Sequence, residues 1–288
     1  MIFAYLLVTC NSDFGGLMDY QEAFKNLGLS SNECIYVASS SISLLWNPSF
    51  VSDINSSLLN YFKDGTIIMP SFCSDFITKG VFDVEKSKSI CGQVAEFFRL
   101  LPFVRRTTMS PLHTVCYKGY YERDIMDIRS NSSFGQSSVF EFLKNINARV
   151  LLIDCCFFDG VPFINALEEE YQVPYRYWKK ISGAIKYGNR QEIIDIQWYA
   201  KCIDCVPDGC IAFPNELRRN CLTRLGSEFF NKYNILPIKY NKTKFVSFKL
   251  SDFYDFFGSL LLDNNKVFIM GDGISNSITD VTNEYPIM

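Results

Sequence analysis

The chain contains a single histidine, His113, and it follows closely on two adjacent arginines, Arg105 and Arg106. An imidazole exchanges protons near neutral pH, and paired guanidiniums hold carboxylates or phosphates. This stretch is therefore a candidate base beside a candidate anion holder. A lone histidine packed in a core or left in solvent is the plainer alternative. A second candidate is Ser39-Ser40-Ser41, directly after the apolar run from Cys34 to Ala38. Hydroxyls and free N–H groups at a strand-to-helix turn bind a phosphate or a carbonyl oxygen, or simply cap the helix. A third combines Asp159 with Asn165 and Glu168, the last followed by Glu169 and Glu170. Asn165 and Glu168 are one helical turn apart and share a face, which suits acid/base work as well as it suits a solvated acidic surface.

The cysteines offer two further arrangements. Cys155 and Cys156 end an apolar run and would need a cationic neighbour to become thiolate nucleophiles; a buried pair is the alternative. Cys202, Cys205, Cys210 and Cys221 imitate a four-thiolate zinc set, but the last two lack the close spacing such a set needs. With one histidine, any site requiring two imidazole ligands is excluded, and no metal is expected. G-x-G-x-x-G, G-x-x-x-x-G-K-[ST] and G-x-S-x-G are all absent, which removes support for dinucleotide, P-loop and α/β-hydrolase chemistry.

The elements that must position these groups follow from patterning. Of 288 residues, 48% are hydrophobic and 16% aromatic, enough to build a large core. The 16 Tyr and 26 Phe serve that core or a self-association surface such as a homodimer. A net charge of -3 argues against nucleic acid as a partner. No stretch approaches the roughly 20 apolar residues of a membrane-spanning helix. The apolar start, MIFAYLLVTC, is short and lacks a basic flank, so no secretory leader is expected and a cytoplasmic location is. The cysteines then read as reduced thiols, packed as small hydrophobes.

Asp19 and Glu22 predict a helix ending at Gly28. Cys34–Ala38 and Thr66–Met69 read as buried strands, with a helix through Ile54, Leu58 and Phe62 between them. Gly92 to Leu101 is helical in spacing, and Ser138 with Glu141 predicts a capping box. Arg149 to Asp154 reads as a central strand, followed by one helix from Asp159 to Tyr171 that stops before Pro174. Short strands are expected from about 180 to 250, and a last helix from Phe253 to Leu262. This alternation predicts an α/β protein.

Taken in order, these segments resemble the aminoglycoside 3-N-acetyltransferase family, in its branch found among antibiotic-resistance and surface-polysaccharide genes. The resemblance runs through Leu27-Gly28-Leu29, Ile35-Tyr36-Val37-Ala38-Ser39-Ser40 and Gly65-Thr66-Ile67-Ile68-Met69-Pro70-Ser71-Phe72. It continues through Phe82-Asp83, Gly92 to Arg99, and Arg106-Thr107 with Ser110-Pro111-Leu112-His113-Thr114-Val115. Phe134-Gly135 with Ser138, Phe158-Asp159, Phe163 to Glu169 and Val173-Pro174-Tyr175-Arg176 complete it.

The resemblance implies a single α/β domain over about residues 18–265, a central mixed sheet flanked by helices. Residues 1–17 then form an extension or edge strand, and 266–288 a tail. It further implies an acyl-CoA-dependent N-acyltransferase, with acetyl-CoA or another acyl-CoA as co-substrate in a tunnel and an amino-sugar as acceptor, aminoglycoside-like or nucleotide-linked. In the family a histidine polarised by a carboxylate deprotonates the acceptor amine, and hydrogen-bond donors stabilise the oxyanion. Carried onto this chain, His113, Asn165, Asp159 and Glu168 surround the acceptor. Ser39, Ser40, Ser41 and Ser71 line the acyl-CoA side, and Arg105 and Arg106 meet phosphates.

The chain departs from the family at the centre. Asn165 stands where the resemblance puts the catalytic histidine, Ala38 replaces a second histidine, and Pro162 replaces a threonine. An amide accepts no proton near neutral pH. Three readings stay open: His113 substitutes as base, the acceptor amine arrives neutral, or the chain is a catalytically silent protein that binds a ligand or partner.

Overall fold

In the computed structural model residues 18–202 and 210–269 are described. The segment 1–17, read as an extension or edge strand, lies outside them, as do Cys205 and the tail beyond Ile269.

Burial on both faces dictates the centre of the molecule. β1 (Cys34–Ser39) sends Ile35 and Val37 to one helical layer and Tyr36 and Ala38 to the other. That is why it reads as an unbroken apolar run and not as alternation. β1 pairs in parallel with β2 (Thr66–Pro70) on one side and with β6 (Arg149–Ile153) on the other. β4 (Arg105–Arg106) and β5 (Val115–Gly119) extend the β2 edge with antiparallel pairing. β9 (Ile238–Tyr240) and β10 (Thr243–Lys249) extend the β6 edge in the same way. The resulting seven-stranded mixed sheet has the order β4-β5-β2-β1-β6-β10-β9.

α1 (Gln21–Asn26), α2 (Phe50–Tyr61) and α4 (Gln93–Leu100) cover one face through Phe24, Ile54, Leu58, Val94 and Phe98. α6 (Val139–Asn145), α8 (Phe163–Glu170), α9 (Asn215–Lys232) and α10 (Leu250–Asp263) cover the other. Phe229 of α9 meets Phe248 of β10 edge-on at 5.2 Å between ring centroids. A smaller sheet, β3 (Val81–Asp83) with the long hairpin β7 (Arg176–Tyr187) and β8 (Arg190–Lys201), encloses Phe76, Phe82, Ile185 and Ile196. The short helices α3 (Asp75–Thr78), α5 (Glu122–Met126) and α7 (Phe157–Gly160) link these layers. The mixed α/β architecture is the expected one.

Local signals hold closely where polar caps carry them. The backbone N–H of Gln21 donates to Asp19 at 2.9 Å, and Gly28 takes φ +68° just past α1. Ser138 Oγ accepts from the Glu141 N–H at 3.1 Å, while the Glu141 carboxylate reaches back to Ser137 N at 2.6 Å.

Two expectations require correction. The helix expected from Asp159 to Tyr171 is two, α7 and α8, because Val161 leaves helical geometry and Pro162 starts a new segment. The region from 180 to 250 ends in the short strands β9 and β10 but is not a run of them throughout. It holds a twelve-residue hairpin pair and the 18-residue α9. α9 buries Arg218, Cys221, Leu222, Leu225 and Phe229, a helical spacing obscured by its polar composition. The packed body also runs past 265, since Val267, Phe268 and Ile269 are buried in the same core as α10.

Candidate active site

α8 buries Phe163, Ile164, Ala166 and Leu167 in the main core, which turns Asn165 and Glu168 toward the start of β7 and the first half of α9. There they meet two arginines. Glu168, fully buried, accepts from Arg176 Nη2 at 2.5 Å, from Arg218 Nη2 at 2.8 Å and from Arg218 Nε at 3.0 Å. Burial alone would raise the Glu168 carboxyl, but the charges of Arg176 and Arg218 outweigh it and hold the group at about 2. Arg176 also donates through Nη1 to the Tyr199 carbonyl at 2.7 Å.

Asn165 belongs to the same network. Its Oδ1 accepts from Arg176 Nη2 at 2.5 Å and lies 3.5 Å from Arg218 Nη2. A guanidinium has donors only, so the orientation of the amide is fixed by chemistry: Oδ1 faces the arginines and Nδ2 faces away. Nδ2 donates to none of the described residues, and Asn165 is half-buried. Asn165 thus presents a rigidly held, unspent N–H pair.

Lys201, at the end of β8, sits opposite Arg176 at the start of β7 in the hairpin register. Burial, then the positive charges of Arg218 and Arg176, pull its ammonium down to about 7, with Glu168 offsetting only part. His113 is reached by the same field. Burial, then the charges of Arg176 and Lys201, lower its imidazole to about 3, so it is neutral at pH 7. The ring packs between Phe72 and Phe134, with centroids at 5.0 and 4.6 Å, and its Nδ1 lies 2.8 Å from Ser133 Oγ.

The neighbouring Ser132 ties this loop to α8 by donating to Glu169 Oε1 at 2.5 Å. Gly135 permits that approach, because a Cβ there would fall 2.0 Å from the same oxygen. Beside the imidazole lies a cavity of about 70 Å³, lined among others by Thr107, Ser110, Ser132 and Ser133.

The expected acyl-CoA serines are divided. Ser39, Ser40 and Ser41 sit half-buried at the end of β1, beside the N-terminus of α4. Ser40 Oγ accepts from Ile42 N at 3.2 Å and Ser41 Oγ from Gln93 N at 3.3 Å, so the turn caps its neighbours while the hydroxyl protons stay uncommitted among the described residues. Ser71 is fully buried, its carbonyl accepting from Arg106 Nη2 at 2.7 Å and Thr114 Oγ1 at 2.5 Å.

Arg106 is likewise enclosed. It donates to Thr114 Oγ1 and to the carbonyls of Ser87 and Ser71, and lies 4.6 Å over the Phe82 ring, bracing β3 against the main sheet. Arg105 is exposed on the edge strand and 3.5 Å from Glu122.

Asp159 lies apart from Asn165 and Glu168. It pairs at 3.1 Å with Arg219, half-exposed, and accepts from Cys156 Sγ at 3.0 Å. The two cysteines carry no activated thiolate: burial pushes Cys155 up to about 12 and raises Cys156, whose contact with Asp159 raises it further. Burial likewise raises Cys202, to about 11.

Structure therefore gathers Asn165 and Glu168 in one charged network whose field reaches His113, and sets Asp159, Arg105, Arg106 and Ser71 outside it. The sequence reading missed Arg176 as a site residue, and missed Lys201 and Arg218 altogether. Arg176 closes the V-P-Y-R segment, so a signal was present; Arg218 could be found only by recognising the helical spacing of α9.

The sequence model of the aminoglycoside 3-N-acetyltransferase family matches residues 37–261. Among solved structures, the YokD protein from Bacillus subtilis superposes with a TM-score of 0.66 at 19% identity, covering 85% of this chain and 97% of that one. The aminoglycoside acetyltransferase AAC(3)-IIb gives 0.69 at 14% identity, over 86% and 98%. AAC-IIIb in its binary complex with CoASH gives 0.69 at 16%, over 84% and 94%. These likenesses show the fold. A search of curated protein sequences finds no match. Among the described residues no helix is long and apolar enough to cross a membrane.

Proposed function

We propose that this chain, which belongs to the aminoglycoside 3-N-acetyltransferase family, is an acyl-CoA-dependent N-acyltransferase acting on an amino group of an amino-sugar. The observation that carries this reading is the fixed amide of Asn165. It is held by Arg176 and Arg218 so that its Nδ2 points away from them, in a half-buried site that also holds His113 and Lys201.

Acyl transfer to an amine needs a neutral nucleophile, a donor for the oxygen that gains charge, and a route for the released proton. The residues present suit all three, without a strong base at position 165. The burial and positive charge that lower the Lys201 ammonium to about 7 disfavour any ammonium placed beside it, so an acceptor amine loses its proton on entering. Asn165 Nδ2 donates to the developing oxyanion, a role worth about 10²–10³ in rate for one such donor. His113, neutral and weakly basic, passes the proton lost by nitrogen to the departing sulfur as the C–N bond forms and the C–S bond breaks.

Acyl-CoA supplies the thioester carbonyl and the thiol leaving group. The uncommitted hydroxyl protons of Ser39, Ser40 and Ser41 fit the amide and phosphate acceptors of such a donor. The alternative, a silent protein that keeps the pocket, draws on the lack of a group as basic as an ordinary imidazole at His113 or Asn165. Thiol release from acetyl-CoA, followed over a panel of amino-sugars with the whole chain, decides between them. Release that depends on an amino-sugar supports the transferase; CoA-ester binding without release on any acceptor supports the silent reading.

A further inference from the structure

Among the described residues two guanidiniums, Arg176 and Arg218, share one carboxylate, Glu168, and the amine of Lys201 lies across the hairpin from Arg176. The other acid nearby among the described residues, Glu169, has its carboxyl turned to Ser132, and burial raises it. Two further described neighbours, His113 and the Cys202 thiol, are neutral at pH 7. Among the described residues this cluster therefore holds more basic than acidic side chains.

Its donors are also unspent. Among the described residues Lys201 Nζ has no ion-pair or hydrogen-bond partner, Arg218 Nη1 donates to nothing, and Arg176 Nε is buried without a partner. Lys201 and Asn165 are half-buried, so solvent and ligand reach the cluster from their side.

We propose that Lys201, with Arg218 and Arg176 behind it, forms an anion subsite for the acceptor, so that the amino-sugar acylated here carries an anionic oxygen group, a carboxylate or a phosphate. This rests on the acceptor being an amino-sugar, as above, and selects within that class. A polycationic aminoglycoside would need unpaired carboxylates at this cluster, where the described residues place arginines and a lysine. An anion restores charge balance, gains charge-assisted hydrogen bonds and leaves the amine beside Asn165.

Calorimetric titration of the whole chain at pH 7 and fixed ionic strength tests this with four probes: glucosamine 6-phosphate, glucosaminuronic acid, glucosamine and gentamicin. The expected result is binding of one or both anionic sugars at least about tenfold tighter than glucosamine. Gentamicin should bind no more tightly than glucosamine. The phosphate and uronate arms identify which anion fits.

In Lys201→Met the preference should fall to within about threefold, while Lys180→Met, at an exposed hairpin position paired with Asp195, should leave it intact. Tighter binding of gentamicin, equal binding of charged and neutral sugars, or no binding of any sugar would overturn the subsite. The wild-type comparison decides this even if the variant does not fold. Anion preference without acetyl-CoA turnover refutes the transferase reading alone, and turnover without anion preference refutes the subsite alone.

Discussion

The Oδ1 of Asn165 accepts a 2.5 Å hydrogen bond from Arg176 Nη2, and this contact decides which end of the amide is left without a partner among the described residues. Position 165 therefore holds a donor with its back braced by charge.

Asn165→Asp separates donation from bracing. A carboxylate there keeps the bond to Arg176 and has no N–H to give, so thermal stability should be unchanged or higher. Turnover should fall about 10²–10³-fold, as in Asn165→Ala. An aspartate variant that retained turnover would exclude the donor role. Asn165→His should not by itself create aminoglycoside acetylation, because the new imidazole would face the donors of Arg176 and Arg218, which would take up its lone pair and lower its basicity.

His113 is the only histidine, so its ring gives a single Cε1–H resonance. Since burial and the charges of Arg176 and Lys201 lower it to about 3, that resonance should stay flat between about pH 5 and 8. Any inflection of kcat near pH 7 should belong to Lys201 and vanish in Lys201→Met. Titration of the His113 resonance near pH 6 would show that the cationic field does not reach it.

Glu168 joins α8 to β7 and α9 through its two arginines. Glu168→Gln should cost about 3–5 kcal/mol at pH 7, because it leaves two buried guanidiniums short of a counter-charge. Its folded-state value, about 2, lies below the ordinary 4.5. The stabilisation is thus fully present above about 4.5 and lost as pH falls toward 2. Denaturant unfolding at pH 7, 4 and 2.5 should show the gap between wild type and variant closing on acidification. A gap independent of pH would contradict the ionised pair.

Gly226 lets α9 lie against α7. A Cβ at 226 would stand 2.7 Å from Phe157 Cγ. Gly226→Ala should cost about 1–3 kcal/mol, read as a Tm lower by several degrees. Turnover should fall with it, since Arg218 rides on the same helix. Unchanged Tm would mean Phe157 yields freely.

By itself the sequence determined the layered α/β body. Unbroken apolar runs at Cys34–Ala38, Thr66–Met69 and Arg149–Ile153 can be satisfied only between two helical layers, and Ser138 with Glu141 marks a helix start locally. It also revealed that position 165 lacks a base, because residue type alone settles that an amide cannot take a proton.

What Asn165 does instead was decided by tertiary structure. Arg176 lies 11 residues away and Arg218 lies 53, on a strand and a helix that meet only when β7 and α9 pack beside α8. Charge acts through space and not along the chain. The basicity of Lys201 and His113, and the burial of Arg106 and Ser71 away from that cluster, therefore emerge only once the fold sets distances and excludes water.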